Sequence, residues 1–176
     1  MLSNNTQAPD FTARDINGNI QSISQYRGHK VLLSFYRYAS CTFCNLRIAE
    51  LCKIYPKSKD RSIQFIGVFQ SPTAAVQTHA GALNPPFPII GDLERVLYKK
   101  YEVDESSKLK YLRGLLNIPR LLTSLTQGFT LSKNDGDKYL IPADFLIDEE
   151  GIIHTAYYGK DISDHISLDA IETFLS

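Results

Sequence analysis

Lys30-Val31-Leu32-Leu33-Ser34-Phe35-Tyr36-Arg37-Tyr38 runs, through Ala39, into Ser40-Cys41-Thr42-Phe43-Cys44. The first nine residues are mostly aliphatic or aromatic, which reads as a buried strand. After them the period changes. Cys41, Cys44, Ile48, Leu51, Cys52 and Tyr55 recur every three or four positions and form one helical stripe, with Pro56 as the expected stop. A strand feeding straight into a helix places Cys41 at the helix N-terminus, where free backbone N–H groups and the macrodipole favour negative charge. In a Cys-x-x-Cys such placement lowers a thiol pKa from ~8.5 to ~3.5–7.5. Cys44, one turn further in, is close enough to form a disulfide with Cys41 after a small adjustment. A low-pKa thiol beside a resolving thiol is what reversible two-electron redox chemistry needs.

Outward from this junction the chain alternates strands and helices. Asn17-Gly18, between alternating residues, signals an N-terminal hairpin. Ser62 to Gln70 reads as a second central strand, followed by Ser71-Pro72 and a helix from about Thr73 to Gly81. Ile89-Ile90 is a short strand, and Asp92 caps a helix to about Tyr101. Residues 104–132 read as a helical insertion with breaks at Pro119 and Gly128. Leu140–Ile147 and Gly151–Tyr158 form a last strand pair, and Ser167 caps a final helix stapled by Ile166 and Ile171. This order is an α/β layered pattern, expected to form one domain over 1–176.

Bulk properties narrow the function. The chain has 176 residues, 19 Lys+Arg against 19 Asp+Glu, and no long block of either sign. Nucleic-acid binding, which needs clustered basic residues, is not expected. The start Met1-Leu2-Ser3-Asn4-Asn5-Thr6-Gln7 has neither the basic nor the apolar region of a secretory signal, and no apolar run approaches a membrane span. The expected compartment is the cytoplasm, where cysteines serve redox chemistry, catalysis or metals more often than structure.

A zinc site needs four ligands, and this chain has no second Cys-x-x-Cys and only scattered histidines at 29, 79, 154 and 165; neither metal nor organic cofactor is expected. Cys52 lies about 12 Å along the helix from Cys44 and about 16 Å from Cys41, beyond disulfide reach, and reads as a buried core residue. Asp164-His165 reads as a cap-proximal pair or a proton relay, and His154 as an edge residue.

Ala8-Pro9-Asp10-Phe11, the strand ending Phe35-Tyr36-Arg37, the turn Cys41-Thr42-Phe43-Cys44-Asn45-Leu46 and Ile141-Pro142-Ala143-Asp144-Phe145-Leu146-Ile147-Asp148 with Gly151 together resemble the alkyl hydroperoxide reductase/thiol-specific antioxidant (AhpC/TSA) family, the peroxiredoxin-like branch of the thioredoxin fold. The resemblance covers nearly the whole chain outside 104–132. It implies a central mixed sheet flanked by helices, with Pro142 as a cis-proline facing the Cys-x-x-Cys. It also makes Arg95, within Asp92-Leu93-Glu94-Arg95, a candidate for the family's active-site arginine. The family's Pro-x-x-x-Thr-x-x-Cys is altered here: with Cys44 in the attacking place, Arg37 stands at the proline and Cys41 at the threonine. Arg37 and Arg95 could each stabilise a thiolate and polarise a peroxide.

The leading expectation is a thiol peroxidase acting on hydrogen peroxide or organic hydroperoxides, cycling through a Cys41–Cys44 disulfide that a thioredoxin-like or other dithiol reductant restores. The alternatives are a thiol-disulfide oxidoreductase and a redox-sensing binding module. Helix electrostatics favours Cys41, the more exposed thiol, as the attacking sulfur; the family pattern favours Cys44. A homodimer is compatible with either assignment.

Overall fold

The computed structural model describes residues 1–59, 63–103, 107–126 and 135–175. The N-terminal hairpin is present: β1 (Ala13–Arg14) pairs antiparallel with β2 (Ile20–Gln21), and Gly18 takes the left-handed conformation its turn requires. A five-stranded mixed sheet follows, with β3 (Lys30–Phe35), β4 (Ile63–Phe69), β5 (Ile89–Gly91), β6 (Ala143–Ile147) and β7 (Ile153–Tyr158) in the order β5-β4-β3-β6-β7. β3, β4 and β5 are parallel; β6 runs antiparallel to β3 and β7 antiparallel to β6.

β3 is central and buried on both sides, which explains its mostly apolar reading. Leu32 faces a core layer with Phe65 and Phe69 of β4 and Ile48, Leu51 and Ile54 of helix α1 (Thr42–Lys59). Val31, Leu33 and Phe35 face the opposite layer with Ile66, Val68, Phe145 and the N-terminal Phe11. There Phe35 meets Tyr98 and Tyr101, from and just after α3 (Val96–Lys100), at ring distances of 5.0 and 5.2 Å. Burying one such side chain contributes about 1.5–3 kcal/mol.

α1 does not stop at Pro56 but runs one turn further, to Lys59. A proline this near a helix end removes a single backbone bond, and the packing of α1 on β4 and on α5 (Ile118–Thr126) outweighs it. α2 spans only Thr73–Thr78, with a separate 3-10 turn at Gly81–Leu83. The N-cap of α3 is Arg95, in the left-handed conformation, and Asp92 caps the helix from three residues before it, its carboxylate accepting from the Val96 and Leu97 N–H groups.

Within the insertion, α4 (Lys108–Leu115) precedes α5, and the break falls at Leu116-Asn117. Pro119 lies in the first turn of α5, where a missing N–H costs nothing. Gly128 and the ends of the 104–132 segment lie outside the described residues. α6 (Leu168–Leu175) is capped by Ser167, whose hydroxyl accepts from Ala170 N at 3.1 Å, with Ile166 and Ile171 both buried.

The peptide bond before Pro142 is trans, as are all described peptide bonds, contrary to the cis bond implied above. Pro142 immediately precedes β6, and its carbonyl accepts from Gly159 N at 2.9 Å. No reversal is required there, so the trans form, favoured by about 0.5–1 kcal/mol, prevails.

Candidate active site

The turn joining β3 to α1 is fastened from three directions. Tyr36 N donates to Val68 O and Gln70 N to Arg37 O, extending the β3–β4 pairing. Ala39 N donates to Ser71 Oγ at 2.8 Å, while Ser40 gives its N–H and hydroxyl to Asp135 Oδ1 at 3.1 and 2.7 Å. Asn45 Nδ2, reaching back from α1, donates to the Ala39 and Cys41 carbonyls. With its backbone fixed, Cys41 occupies the N-cap of α1.

At that cap the Cys41 sulfur does what a capping oxygen normally does. It accepts from the backbone N–H groups of Phe43 and Cys44, from the Cys44 thiol, and from Arg37 Nη1 at 3.2 Å. Burial by itself would raise the Cys41 pKa; the Cys44 thiol, the Arg37 charge and the two N–H groups overcome it and bring it down to about 6. Burial pushes the Cys44 thiol well above its ordinary value, and its role as donor to the Cys41 thiolate adds to the rise. The two thiols are therefore a thiolate and the proton donor that stabilises it. All three cysteines are reduced in this structure.

Cys41 is not the exposed thiol its helix-tip position suggested: it is 2% accessible and Cys44 1%. The cause is the insertion. Tyr111 and Leu115 of α4, Leu121 of α5 and Ile162 close over Arg37, Tyr38 and Cys41, leaving a cavity of about 40 Å³. A water needs roughly 10–15 Å³ of such space, so a peroxide group fits beside the sulfur. Arg37 is 2% exposed. Nη2 donates to the Lys138 carbonyl, and the guanidinium carbon lies 5.0 Å from the Tyr38 ring centroid and 5.7 Å from that of Tyr111.

The other expected residues are placed differently. Arg95 Nη2 pairs with Asp137 Oδ2 at 2.8 Å, and neither Arg95 nor Pro142 lines the Cys41 cavity. Cys52 is half-buried against the core rather than enclosed by it. His165 pairs with Asp144, not Asp164: Nδ1 stands 3.0 Å from Asp144 Oδ2, both side chains being buried, while Asp164 accepts from the Tyr157 hydroxyl. His154 lies exposed on β7. Sequence reasoning missed Tyr38, Tyr111, Lys138 and Asp135. Tyr38 could have been suspected, lying between Arg37 and Cys41; the others come from ~70–100 residues away and carry no local signal.

A family model described as the AhpC/TSA family matches residues 5–156. A protein of Mycobacterium tuberculosis (strain H37Rv) bearing a peroxiredoxin name is 22% identical over 166 residues, 94% of this chain and 91% of its own length. The thiol-disulfide oxidoreductase ResA of Geobacillus kaustophilus is 25% identical over 134 residues, 76% of this chain and 74% of its own. The crystal structure of peroxidoxin BcpB from Mycobacterium tuberculosis shares the fold, with a TM-score of 0.70 at 13% identity, covering 99% of this chain and 95% of that one. The family match takes in both cysteines of the pair, the strands beside them and the turn bearing Arg37, and on it the chain belongs to the AhpC/TSA family.

Proposed function

We propose that this protein is a thiol peroxidase in which Cys41 attacks and Cys44 resolves. The observation that carries the reading is the Cys41 sulfur, bonded to Arg37 at 3.2 Å and opening on a cavity that fits a peroxide group. The thiolate displaces one oxygen of the O–O bond, giving a sulfenic acid on Cys41 and an alkoxide or hydroxide that takes a proton and leaves. Arg37 steadies the thiolate beforehand and the charge on the departing oxygen afterwards. The Cys44 thiol then attacks the sulfenic sulfur; its proton and the hydroxyl leave as water, and the Cys41–Cys44 disulfide forms. An external dithiol of the thioredoxin type reduces it by exchange.

Arg95 supports this chemistry from outside the cavity. Its ion pair with Asp137 anchors the segment whose Asp135 holds Ser40 and whose Lys138 carbonyl receives Arg37. The cycle needs no metal or organic cofactor, and it suits a reducing compartment such as the cytoplasm. Among the described residues, no helix is long and apolar enough to cross a membrane.

The deciding experiment mixes reduced protein with one equivalent of hydrogen peroxide in a stopped flow, alongside the Cys41→Ser and Cys44→Ser variants. Oxidation far faster than that of a free thiol, with sulfenic acid accumulating in Cys44→Ser, supports the proposal; oxidation at free-thiol rates refutes it. Fast exchange with a disulfide reagent in that second case would favour the thiol-disulfide oxidoreductase reading. The similarity to ResA and the acidic first cysteine of the pair keep that reading in view.

A further inference from the structure

Arg37 has no carboxylate partner among the described residues, and its Nε, buried, meets no acceptor. Its charge is balanced by the Cys41 sulfur, the Lys138 carbonyl and two aromatic faces. Tyr38 supplies one face from the same turn. Tyr111 supplies the other from α4, a helix of the insertion more than seventy residues along the chain.

The presentation of Tyr111 follows from helix geometry. Tyr111, Gly114 and Leu115 stand at i, i+3 and i+4, which is one face. Tyr111 and Leu115 line the Cys41 cavity, and Gly114 lies so close to the 161–162 backbone that a Cβ there would collide with Ile162 Cγ1. The opposite face, with Leu109, Leu112 and Leu116, is exposed. Three further contacts fix the ring. The Ser107 hydroxyl caps α4 by accepting from Lys110 N, and Ser107 N donates to the Tyr139 carbonyl at 3.0 Å. The Tyr139 ring then packs edge-on against Tyr111 at 5.2 Å.

We infer that Tyr111 is a positioning residue: its ring, delivered by the insertion, holds the Arg37 guanidinium on the Cys41 sulfur, so that docking of α4 sets how readily Cys41 ionises. The titratable and charged groups facing this point are Arg37 and Tyr38 from the turn, Cys44 from α1, Tyr111 from α4, and Lys138 and Tyr139 behind the Tyr111 ring. Of these, Arg37 bears the positive charge in contact with the sulfur, and Tyr111 is the part of its cage that the insertion contributes. The inference concerns the attacking thiol of the proposed function and so rests on that assignment.

The test is the pH profile of Cys41 alkylation by iodoacetamide, with thiolate absorbance, in a reduced Cys52→Ser background. Tyr111→Phe keeps the ring and should leave the midpoint at about 6. Tyr111→Ala should raise it by roughly half a unit or more. Adding Tyr111→Ala to Arg37→Met should move the midpoint no further, because the ring acts through Arg37. An unmoved midpoint in Tyr111→Ala, an equal rise in Tyr111→Phe, or additive effects in the double variant would each overturn the inference. The titration needs no peroxide, so slow oxidation of the wild type counts against the peroxidase while these midpoints still decide the role of Tyr111.

Discussion

Arg37 Nη1 donates to the Cys41 sulfur at 3.2 Å, and each is the other's counter-charge in a site where both are 2% exposed. Neither would be comfortable there alone, since an unpaired buried ion is costly. A charge-assisted bond of this kind is worth about 1.5–3 kcal/mol, equivalent to roughly one to two pKa units. Arg37→Met should therefore raise the Cys41 titration midpoint by that amount, and slow alkylation at pH 6 by about five- to fifty-fold. Arg37→Lys should recover only part of the loss, because an ammonium cannot reach the sulfur and the Lys138 carbonyl in the same planar fork. An alkylation profile unchanged in Arg37→Met would place the origin of Cys41 acidity in the Cys44 thiol and the helix N-terminus.

The same ionisation makes the stability of the reduced protein depend on pH. The folded Cys41 value, about 6, lies below that of an unfolded thiol, ~8.5. Between them the unfolded chain binds more protons, so Cys41 contributes stability that is complete above ~8.5 and lost as pH falls towards 6. Cys44, shifted upward, withdraws stability only above that window. Urea midpoints under reducing conditions should rise from pH 6 to 8, and the rise should be smaller in Cys41→Ser. Parallel curves for the two proteins would contradict the assignment.

The cysteine variants separate the roles. Cys41→Ser should abolish rapid peroxide consumption. Cys44→Ser should keep a first oxidation step and stop at the sulfenic acid, detectable by dimedone capture and mass spectrometry. Cys52, half-buried with its pKa raised by burial, should be replaceable by serine with little change in turnover. Sulfenic acid found on Cys44 in Cys41→Ser, formed at the wild-type rate, would reverse the assignment of attacker and resolver.

Much of this was readable along the chain because its causes are local. Val31 to Phe35 read as a strand because burial on both faces demands a mostly apolar run, and Cys41 read as acidic because a strand-to-helix turn exposes N–H groups wherever it occurs. What escaped depends on distant partners. Arg95 carries a family motif, yet Asp137, forty-two residues on, takes its side chain. His165 looked paired with its neighbour Asp164 but reaches Asp144 across the sheet. The exposure of Cys41 was misjudged because the residues that cover it, Tyr111, Leu115 and Leu121 of the insertion together with Ile162, are distant in sequence from the turn.

Asp144 is the buried charge of the sheet's other pairing. Its carboxylate accepts from Ser34 Oγ at 2.7 Å and Ile166 N at 2.9 Å, and pairs with His165. Burial works against ionisation, and His165, Arg47 and Ser34 together hold the pKa below the ordinary value. A lowered carboxylate contributes stability that is complete above its unfolded value near ~3.9 and lost as pH falls through the folded one. Asp144→Asn should lower stability at pH 7 by about 1.5–3 kcal/mol, as expected when a buried, hydrogen-bonded charge is lost, and flatten the acid limb of the stability curve. The Cys41 midpoint should stay where it is. A shifted midpoint would show that the two networks are coupled.

Gly114 tests whether α4 is held in place by close approach or merely rests on the site. Its backbone is helical, so alanine there should gain up to about 1 kcal/mol of helix propensity. Against that, the new Cβ would strike Ile162 Cγ1 and come within 3.0 Å of Asp161 Oδ1. Ile162 is itself buried in the core layer next to α1 and has little room to turn. Overpacking of this kind costs about 1–3 kcal/mol, so the collision should win and α4 should move outward. Gly114→Ala should then lower the urea midpoint and speed alkylation at pH 9, where ionisation no longer limits it and access does. A more stable protein with an unchanged Cys41 profile would show that α4 tolerates displacement and that the site does not depend on its seat.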